Sequence, residues 1–516
     1  MSMEFERSVE SEDAKGKFPE LRSLDAFQLS AFGCRVLPAF LLATLTGCAV
    51  GPDYKRPEAT TIPVAYAGAT NVVTTDATTM WKVAEPRAGL PKGNWWEIFG
   101  DPELNELERQ ASVANQELKV AVARLAEARA EMNITRAGLF PSLSASGAFV
   151  RQRNSENAPS TTTGNAVGTS STFNDYYVPL TAMYEADLWG RVRRSVESAR
   201  AQVTASADDL ETLKLMIQAE VAVNYFTLRA LDSQRMVLNT SVEVFTKSLQ
   251  LTRNLRAGGA VSDLDVAQAQ TVLKTTQAQL PAVVLQRTKL EHALAVLVGQ
   301  PASAFRILER PLSTSPPLIP AGVPSELLER RPDVAAAERR MASANAGIGV
   351  AKAAFFPTVQ LNGLAGFESV SAGTLFNWSS RLWAVGPSIT LPIFEGGKLR
   401  AGLQLANATY DEMVASYRQT VLSAFAEVED SLASQTLLAN QYAAQSDALV
   451  AARKQLEIVN NQYRDGLITY LEVATAQNTA LNVEFTGAQL RGEQLVAAVT
   501  LVKALGGGWQ ETMQEK

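Results

Sequence analysis

Residues 191 to 257 contain neither glycine nor proline, and residues 403 to 465 contain neither. Two stretches of that length without a helix breaker predict helices of about 95 to 100 Å each, at 1.5 Å per residue. A compact domain has no room for such rods, so the rest of the chain must be arranged around them. Each rod ends in a glycine turn, at Gly258-Gly259 or Gly466, and a returning helical stretch follows. Interruptions of the returning helices are expected near Pro281 and Gly487. The apolar positions drift without a sustained heptad seam, which favours a curved sheet of helices packed on both flanks over a plain coiled coil.

The two rods belong to one unit written twice. "GGAVSDLDVAQAQ" set over "DGLITYLEVATAQ" matches Gly259 with Gly466, Leu264 with Leu471, Val266 with Val473 and Gln270 with Gln477, each 207 residues apart. Gly299 and Gly506 keep that spacing, whereas Phe140-Pro141 and Phe356-Pro357 stand 216 apart. One segment between them therefore differs in length, and it holds the polar loop "RQRNSENAPSTTTGNAVGTSSTFND". The chain accordingly divides into a signal segment at 1–47, an extended segment at 48–100, a first repeat at 101–300, a linker at 301–324, a second repeat at 325–508 and a tail at 509–516.

Each repeat opens with an Ala-rich helical stretch, in the first copy with Asp101 as N-cap and Pro102 at the first helical position, in the second near "RRPDVAAAERR". Strictly alternating runs follow. Leu143, Ala145, Gly147 and Phe149 form one apolar face; Val178, Leu180, Ala182, Tyr184, Ala186 and Leu188 form the next. Val359, Leu361, Ala365 and Phe367, then Trp383, Val385, Ile389, Leu391 and Ile393, repeat the pattern. These are four strands with one apolar face each, expected to bend or end at Pro179, Pro387 and Pro392. A sheet in lipid must have no edges, and single-chain barrels begin at about eight strands, so subunits must share one. Three copies would give twelve strands, so the expected fold class is an α+β membrane duct, internally duplicated: a long α-helical barrel plus four strands per chain completing a 12-stranded β-barrel in a homotrimer. Tyr176, Tyr177, Tyr184, Trp189, Phe376, Trp378 and Trp383 are placed as aromatic girdles at the membrane interfaces.

The N-terminus agrees with a membrane destination. The run "VLPAFLLATL" after Arg35 is too short to span a bilayer and reads as a signal-peptide core, and "LTGC" resembles the bacterial lipobox. Cys48 is the expected lipid attachment site, carrying diacylglycerol and an N-acyl chain, with cleavage before it. Residues 1 to 34 carry seven acids against four bases, unlike a signal, which points to a true start downstream of Met1. Cys34 falls in the discarded segment, leaving no partner thiol for a disulfide. A net charge of −6 without a basic block recommends no nucleic-acid partner. The one histidine, His292, supports neither a triad nor a His-rich metal site, so the chain reads as a non-enzyme without cofactor or metal.

Nine segments in order, from "LTGCAVGPDYKRP" through "WWEIFGDPELNELERQA", "AGLFPSLSASG", "YEADLWGRVRRSVESARA", "RAGGAVSDLDVAQAQ", "LLERRPDVAAAERRM", "AAFFPTVQLNG" and "YRDGLITYLEVATAQ" to "LVKALGGGW", resemble the outer-membrane factors of tripartite efflux pumps, the TolC-like and NodT-type lipoproteins. The resemblance implies a homotrimeric duct in the bacterial outer membrane that reaches across the periplasm, with an equatorial belt of short helices. It also implies two partners, a periplasmic adaptor and an inner-membrane RND-type transporter, and passive conduction of drugs or small solutes. It places the glycine turns at the periplasmic tip, where Asp263, Asp265, Leu471 and Glu472 would form a gate around the axis. Gly258, Gly259 and Gly466 make the turns, and Tyr463, Arg464 and Asp465 form a latch. Thr475 stands where the family commonly has aspartate. Crowded acids there would raise one another's pKa and attract cations. A second reading of the same residues is capping, with Ser262 and Thr469 as N-caps and Asp265 and Glu472 in the capping-box position. The alternatives for the whole chain are a type I protein-secretion duct, a periplasmic coiled-coil scaffold lipoprotein and a lipid-anchored enzyme.

Overall fold

A computed structural model describes residues 49–57, 93–153, 155, 172–317, 319, 327 and 330–507. The signal segment, Cys48, nearly all of the polar loop at 154–171, the end of the linker and the tail at 509–516 lie outside the described residues. Helices α1 (Pro102–Ala114) and α2 (Gln116–Ala137) lead into strands β1 (Ser142–Ala145), β2 (Ala148–Arg153) and β3 (Thr172–Ala186). Helices α3 (Arg191–Ala257), α4 (Asp263–Leu297) and α5 (Pro332–Ala353) precede strands β4 (Thr358–Ser369) and β5 (Arg381–Thr390). Helices α6 (Lys398–Arg464) and α7 (Tyr470–Ala504) complete the chain. The two rods α3 and α6 are 67 residues each, and the returning helices α4 and α7 are 35 each. At 1.5 Å per residue the rods measure about 100 Å.

Near the sheet the helices lie side by side in the order α2, α3, α5, α6, and toward the turns in the order α4, α3, α7, α6. No heptad seam is needed, because each rod changes its neighbours halfway along. The returning helices run unbroken through Pro281 and Gly487, contrary to the sequence expectation. A mid-helix proline costs about 3 kcal/mol and a glycine about 1. Continuous packing of α4 on α3, and of α7 on α3 and α6, outweighs both.

At the waist a 3₁₀ turn, Trp95–Phe99, and α1 pack on α3 over a core of Trp95, Phe99, Leu104, Tyr225, Phe226 and Leu495. Asp101 caps α1 as expected, accepting from Glu103 N at 3.0 Å. The opening helical stretch is broken at Asn115, whose side chain caps α2 and donates to Leu297 O at 2.9 Å. Residues 305–312 are tied to α3 and α4 by buried arginines. Arg229 bridges Asp232 at 2.9 Å and donates to Leu308 O at 2.6 Å, and Arg287 holds Asp232 at 2.6 Å and Ile307 O at 2.7 Å.

The sheet is antiparallel, with β1 and β2 both on β3, then β4, then β5. β1 and β2 are one strand line in a single register on β3, interrupted opposite Pro179, which has no N–H to offer the ladder. Of the bend or end expected at Pro179 and Pro387, an end does not occur: β3 passes through Pro179, and Pro387 sits on β5, an edge of this chain's sheet. Gly366 faces Pro179, and a Cβ there would fall 2.3 Å from Val178 O and 2.7 Å from Pro179 Cα. The strands can pass at this point only because residue 366 has no side chain.

The register sorts the two faces. Leu143, Phe149, Tyr176, Val178, Leu180, Tyr184, Leu361, Phe367, Trp383, Val385 and Ile389 share one face. Ser142, Ser144, Thr181, Gln360, Asn362 and Ser388 share the other. Tyr177 falls on the polar face, so it does not belong to the girdle assigned to it; strand period 2 separates it from Tyr176. Trp189 closes the helix end, stacking on Phe356 at 4.8 Å and donating to Pro357 O at 2.8 Å.

Candidate functional site

Both glycine turns lie at the end of the rods remote from the sheet. In the first, Gly259 takes φ 79°, and Ala260 N donates to Leu255 O at 2.9 Å, closing the rod. Ser262 then caps α4 in a complete capping box. Asp265 accepts from Ser262 N at 2.8 Å and Ser262 Oγ at 2.7 Å, while Asp265 N donates to Ser262 Oγ at 3.3 Å. Arg256, in the last turn of α3, grips Asp263 with two bonds of 2.7 and 2.9 Å. In the second turn Gly466 takes φ 73° and Leu467 N donates to Gln462 O at 2.9 Å. Here the capping box is not completed: Thr469 makes no side-chain cap bond, and its hydroxyl donates to Glu472 at 2.5 Å.

Asp265 does more than cap its own helix. Its second oxygen accepts from Tyr470 N at 3.4 Å, so one carboxylate joins the two hairpins. Deeper in, Tyr463 donates to Thr252 at 3.4 Å, and its ring meets that of Tyr470 edge-on at 5.5 Å. Tyr470 donates to Gln477 at 3.1 Å, and Gln477 donates to Ser248 at 3.1 Å. Tyr470, Thr252 and Gln477 are almost fully buried. Burial pushes the phenols of Tyr463 and Tyr470 up, the Asp265 charge adding to the first and Tyr463 to the second.

Of the residues singled out from the sequence, Asp265 and Tyr463 are thus brought together in one network between hairpins. Arg464 and Asp465 are exposed, with no side-chain partner among the described residues of the chain. Leu471 is 57 % exposed, as are its neighbours Leu264 (65 %) and Leu467 (71 %), which leaves an apolar tip. Within one chain the acids that the resemblance assigns to a gate are not raised in pKa. Arg256 beside Asp263 and the Thr469 hydroxyl beside Glu472 hold those carboxyls below their ordinary values. For Asp265, partial burial pushes upward but is outweighed by the bonds from Ser262 and Tyr470. The sequence reading missed Tyr470, Ser248, Thr252 and Gln477. Gln270 and Gln477 match in the duplication, yet Gln270 is exposed and Gln477 is 1 % exposed. His292 is exposed on α4. No helix among the described residues is long and apolar enough to cross a membrane.

Next to Cys48, residues 49–57 form a strap that starts where strand turns into rod. Val50 N donates to Trp189 O at 3.0 Å, and Gly51 passes so close to α5 that a Cβ would lie 2.5 Å from Gly349 Cα. Asn345 donates to Pro52 O at 3.1 Å, Asp53 pairs with Arg194 at 2.8 Å and Tyr54 donates to Glu338 at 3.0 Å. Arg56 ends the strap, donating to the Tyr417 hydroxyl at 2.7 Å. The residue after the cysteine is therefore held at the base of the sheet.

Comparison with known proteins places this geometry. Residues 107–300 and 323–507 match the family described as outer membrane efflux protein. The chain is 34% identical over 476 residues to the toluene efflux pump outer membrane protein TtgC of Pseudomonas putida, covering 92% of this chain and 94% of that one. It is 34% identical over 421 residues to the pyoverdine export outer membrane protein OpmQ of Pseudomonas aeruginosa, covering 81% and 88%. The solved outer-membrane channel OprN superposes with a TM-score of 0.78 at 31% identity, covering 90% of this chain and all of that one. With rods of this length, a sheet with one apolar face and these likenesses, the chain belongs to the outer membrane efflux protein family and is an outer-membrane efflux channel.

Proposed function

We propose that three copies of this chain form a lipid-anchored exit duct that passively carries drugs or small solutes from a periplasmic adaptor and an inner-membrane RND-type transporter to the exterior. The observation that carries the proposal is the sheet. Its two outer lines, β1/β2 and β5, are unpaired in one chain while one face is apolar, a combination lipid tolerates only if neighbouring subunits close the barrel. From Tyr176 to Ala186, β3 rises about 23 Å at ~3.3 Å per residue and ~45° tilt, close to the height of a lipid-facing band. Cys48 is the acylated residue; the strap that fixes Ala49 beside Gly190 supports this, because Ala49 lies where the sheet meets the rods. The glycine turns form the periplasmic gate, in which Asp265, Tyr463 and Tyr470 lock the two hairpins of one subunit together. Leu471 and Glu472, the latter held only by local bonds to Thr469 and its own amide among the described residues, are left to face the axis.

Cross-linking in mild detergent is the decisive measurement. It should stop at three subunits, and labelled palmitate should enter the wild type but not Cys48→Ser. A stable monomer in the membrane refutes the shared barrel; equal label in Cys48→Ser refutes the anchor.

A further inference from the structure

Charge on the sheet is divided by face and by strand. Among the described strand residues the cations are Arg151, Arg153 and Arg381, and the acids are Asp175, Glu185 and Glu368. Arg151 is opposite Asn174, Arg153 opposite Thr172 and Arg381 opposite Phe367, which puts all three arginines on the apolar face. Asp175 is opposite Val150, Glu185 opposite Gln360 and Glu368 opposite Tyr177, which puts all three acids on the polar face. The arginines also occupy only the two edge lines, β2 and β5, at the end of the sheet away from the helices. A cation at this end of a lipid-facing surface lies at headgroup depth.

Beside Arg381 the apolar face is hollowed. A groove of about 500 Å³ is lined by Val178, Leu180, Ala365, Phe367, Phe376 and Trp383, with Arg381 also on its wall. Arg381 spends one donor on Trp378 O at 2.6 Å and lies 4.3 Å over the Trp378 ring, leaving most of its N–H fork free for a ligand.

We infer that each seam between neighbouring subunits binds a phosphorylated glycolipid of the outer leaflet, a multiply acylated glucosamine disaccharide of the lipid A type. Its acyl chain lies in the groove, and its phosphates lie on Arg381 of one subunit and Arg151 of the next. This rests on the trimeric reading, because only closure of the barrel brings edge β5 beside edge β1/β2. Arginine suits the role: its planar fork takes phosphate in two parallel charge-assisted bonds. The external end of the sheet selects the outer-leaflet lipid over a phospholipid of the inner leaflet.

Native mass spectrometry of the full-length protein released from neutral detergent tests the inference, with bis-phosphorylated lipid A, its dephosphorylated form and phosphatidylglycerol as probes. The expected spectrum is a trimer retaining up to three lipid A molecules. Retention should fall about ten-fold or more in Arg151→Ala with Arg381→Ala, the loss of charge-assisted bonds, and should be unchanged in Glu368→Gln on the opposite face. Arg151→Gln with Arg381→Gln serves if the alanine pair does not assemble. A trimer that holds the dephosphorylated lipid or phosphatidylglycerol equally well, or a double variant that holds lipid A undiminished, overturns the seam site alone. A monomer removes the seam, and the trimeric duct falls with it.

Discussion

Replacing Asp265 by alanine separates a gate from an ordinary helix cap. The carboxylate accepts from Ser262 N, Ser262 Oγ and, across the hairpins, Tyr470 N. Alanine keeps one bond, since its own amide still reaches Ser262 Oγ. The lost half of the capping box is worth about 0.5 to 1.5 kcal/mol, and the long bond to Tyr470 up to about 1. Asp265→Ala should therefore loosen the tip by about 0.5 to 2.5 kcal/mol, roughly two- to sixty-fold in the ratio of locked to unlocked hairpins. Hydrogen exchange read at the Tyr470 amide measures the lock, and single-channel recording in planar bilayers measures the gate. The wild type should conduct poorly and prefer cations, and the variant should open more often while its Tyr470 amide exchanges faster. Leu471→Ala provides the contrast: the side chain is mostly exposed within the chain, so conductance should change with little loss of stability. Faster exchange with unchanged conductance would reduce Asp265 to a cap, and unchanged exchange would refute the cross-hairpin bond itself.

Three further outcomes follow from single residues. Asp263 and Asp265 have depressed pKa values, so their contribution is complete above the ordinary carboxylate range and is lost as pH falls through their folded values; exchange at the tip should accelerate below about pH 4, and a tip indifferent to acid would contradict it. Glu108 on α1 is fully buried, neither carboxyl oxygen has a partner among the described residues, and burial pushes its pKa well up. The folded state then holds a proton the unfolded chain releases, so stability should decline as pH rises above about 4.3. Glu108→Gln should flatten that slope in melting curves; a parallel slope in both proteins argues against a neutral buried acid. Gly366→Ala should destabilise the sheet by about 1 to 3 kcal/mol through overpacking against Val178 and Pro179. Gly363→Ala, whose Cβ would meet Ala182 Cβ at an ordinary 3.6 Å, should be tolerated. Equal heat resistance of the two assembled variants on gels would show that the strands are not in close contact at residue 366.

The elements with the longest periodicity were legible in the residues alone. Glycine-free runs marked α3 and α6, the 207-residue repeat marked their returning partners, and strict alternation marked the strand faces, because backbone propensity and side-chain period act over neighbouring residues. The family resemblance put Asp265 and Tyr463 at the tip, and the capping chemistry of Ser262 was readable from spacing. What only the tertiary structure decided depends on residues far apart in sequence. Pro281 stays inside a helix and Pro179 inside a strand because neighbouring elements hold them, which no local propensity encodes. Two glutamines equal by duplication part company, Gln477 buried with Ser248 and Tyr470 while Gln270 is exposed. Asp265 could equally have capped its helix and gone no further. Its second bond exists only because packing of α3 against α7 carries Tyr470, 205 residues away, to the carboxylate's free oxygen.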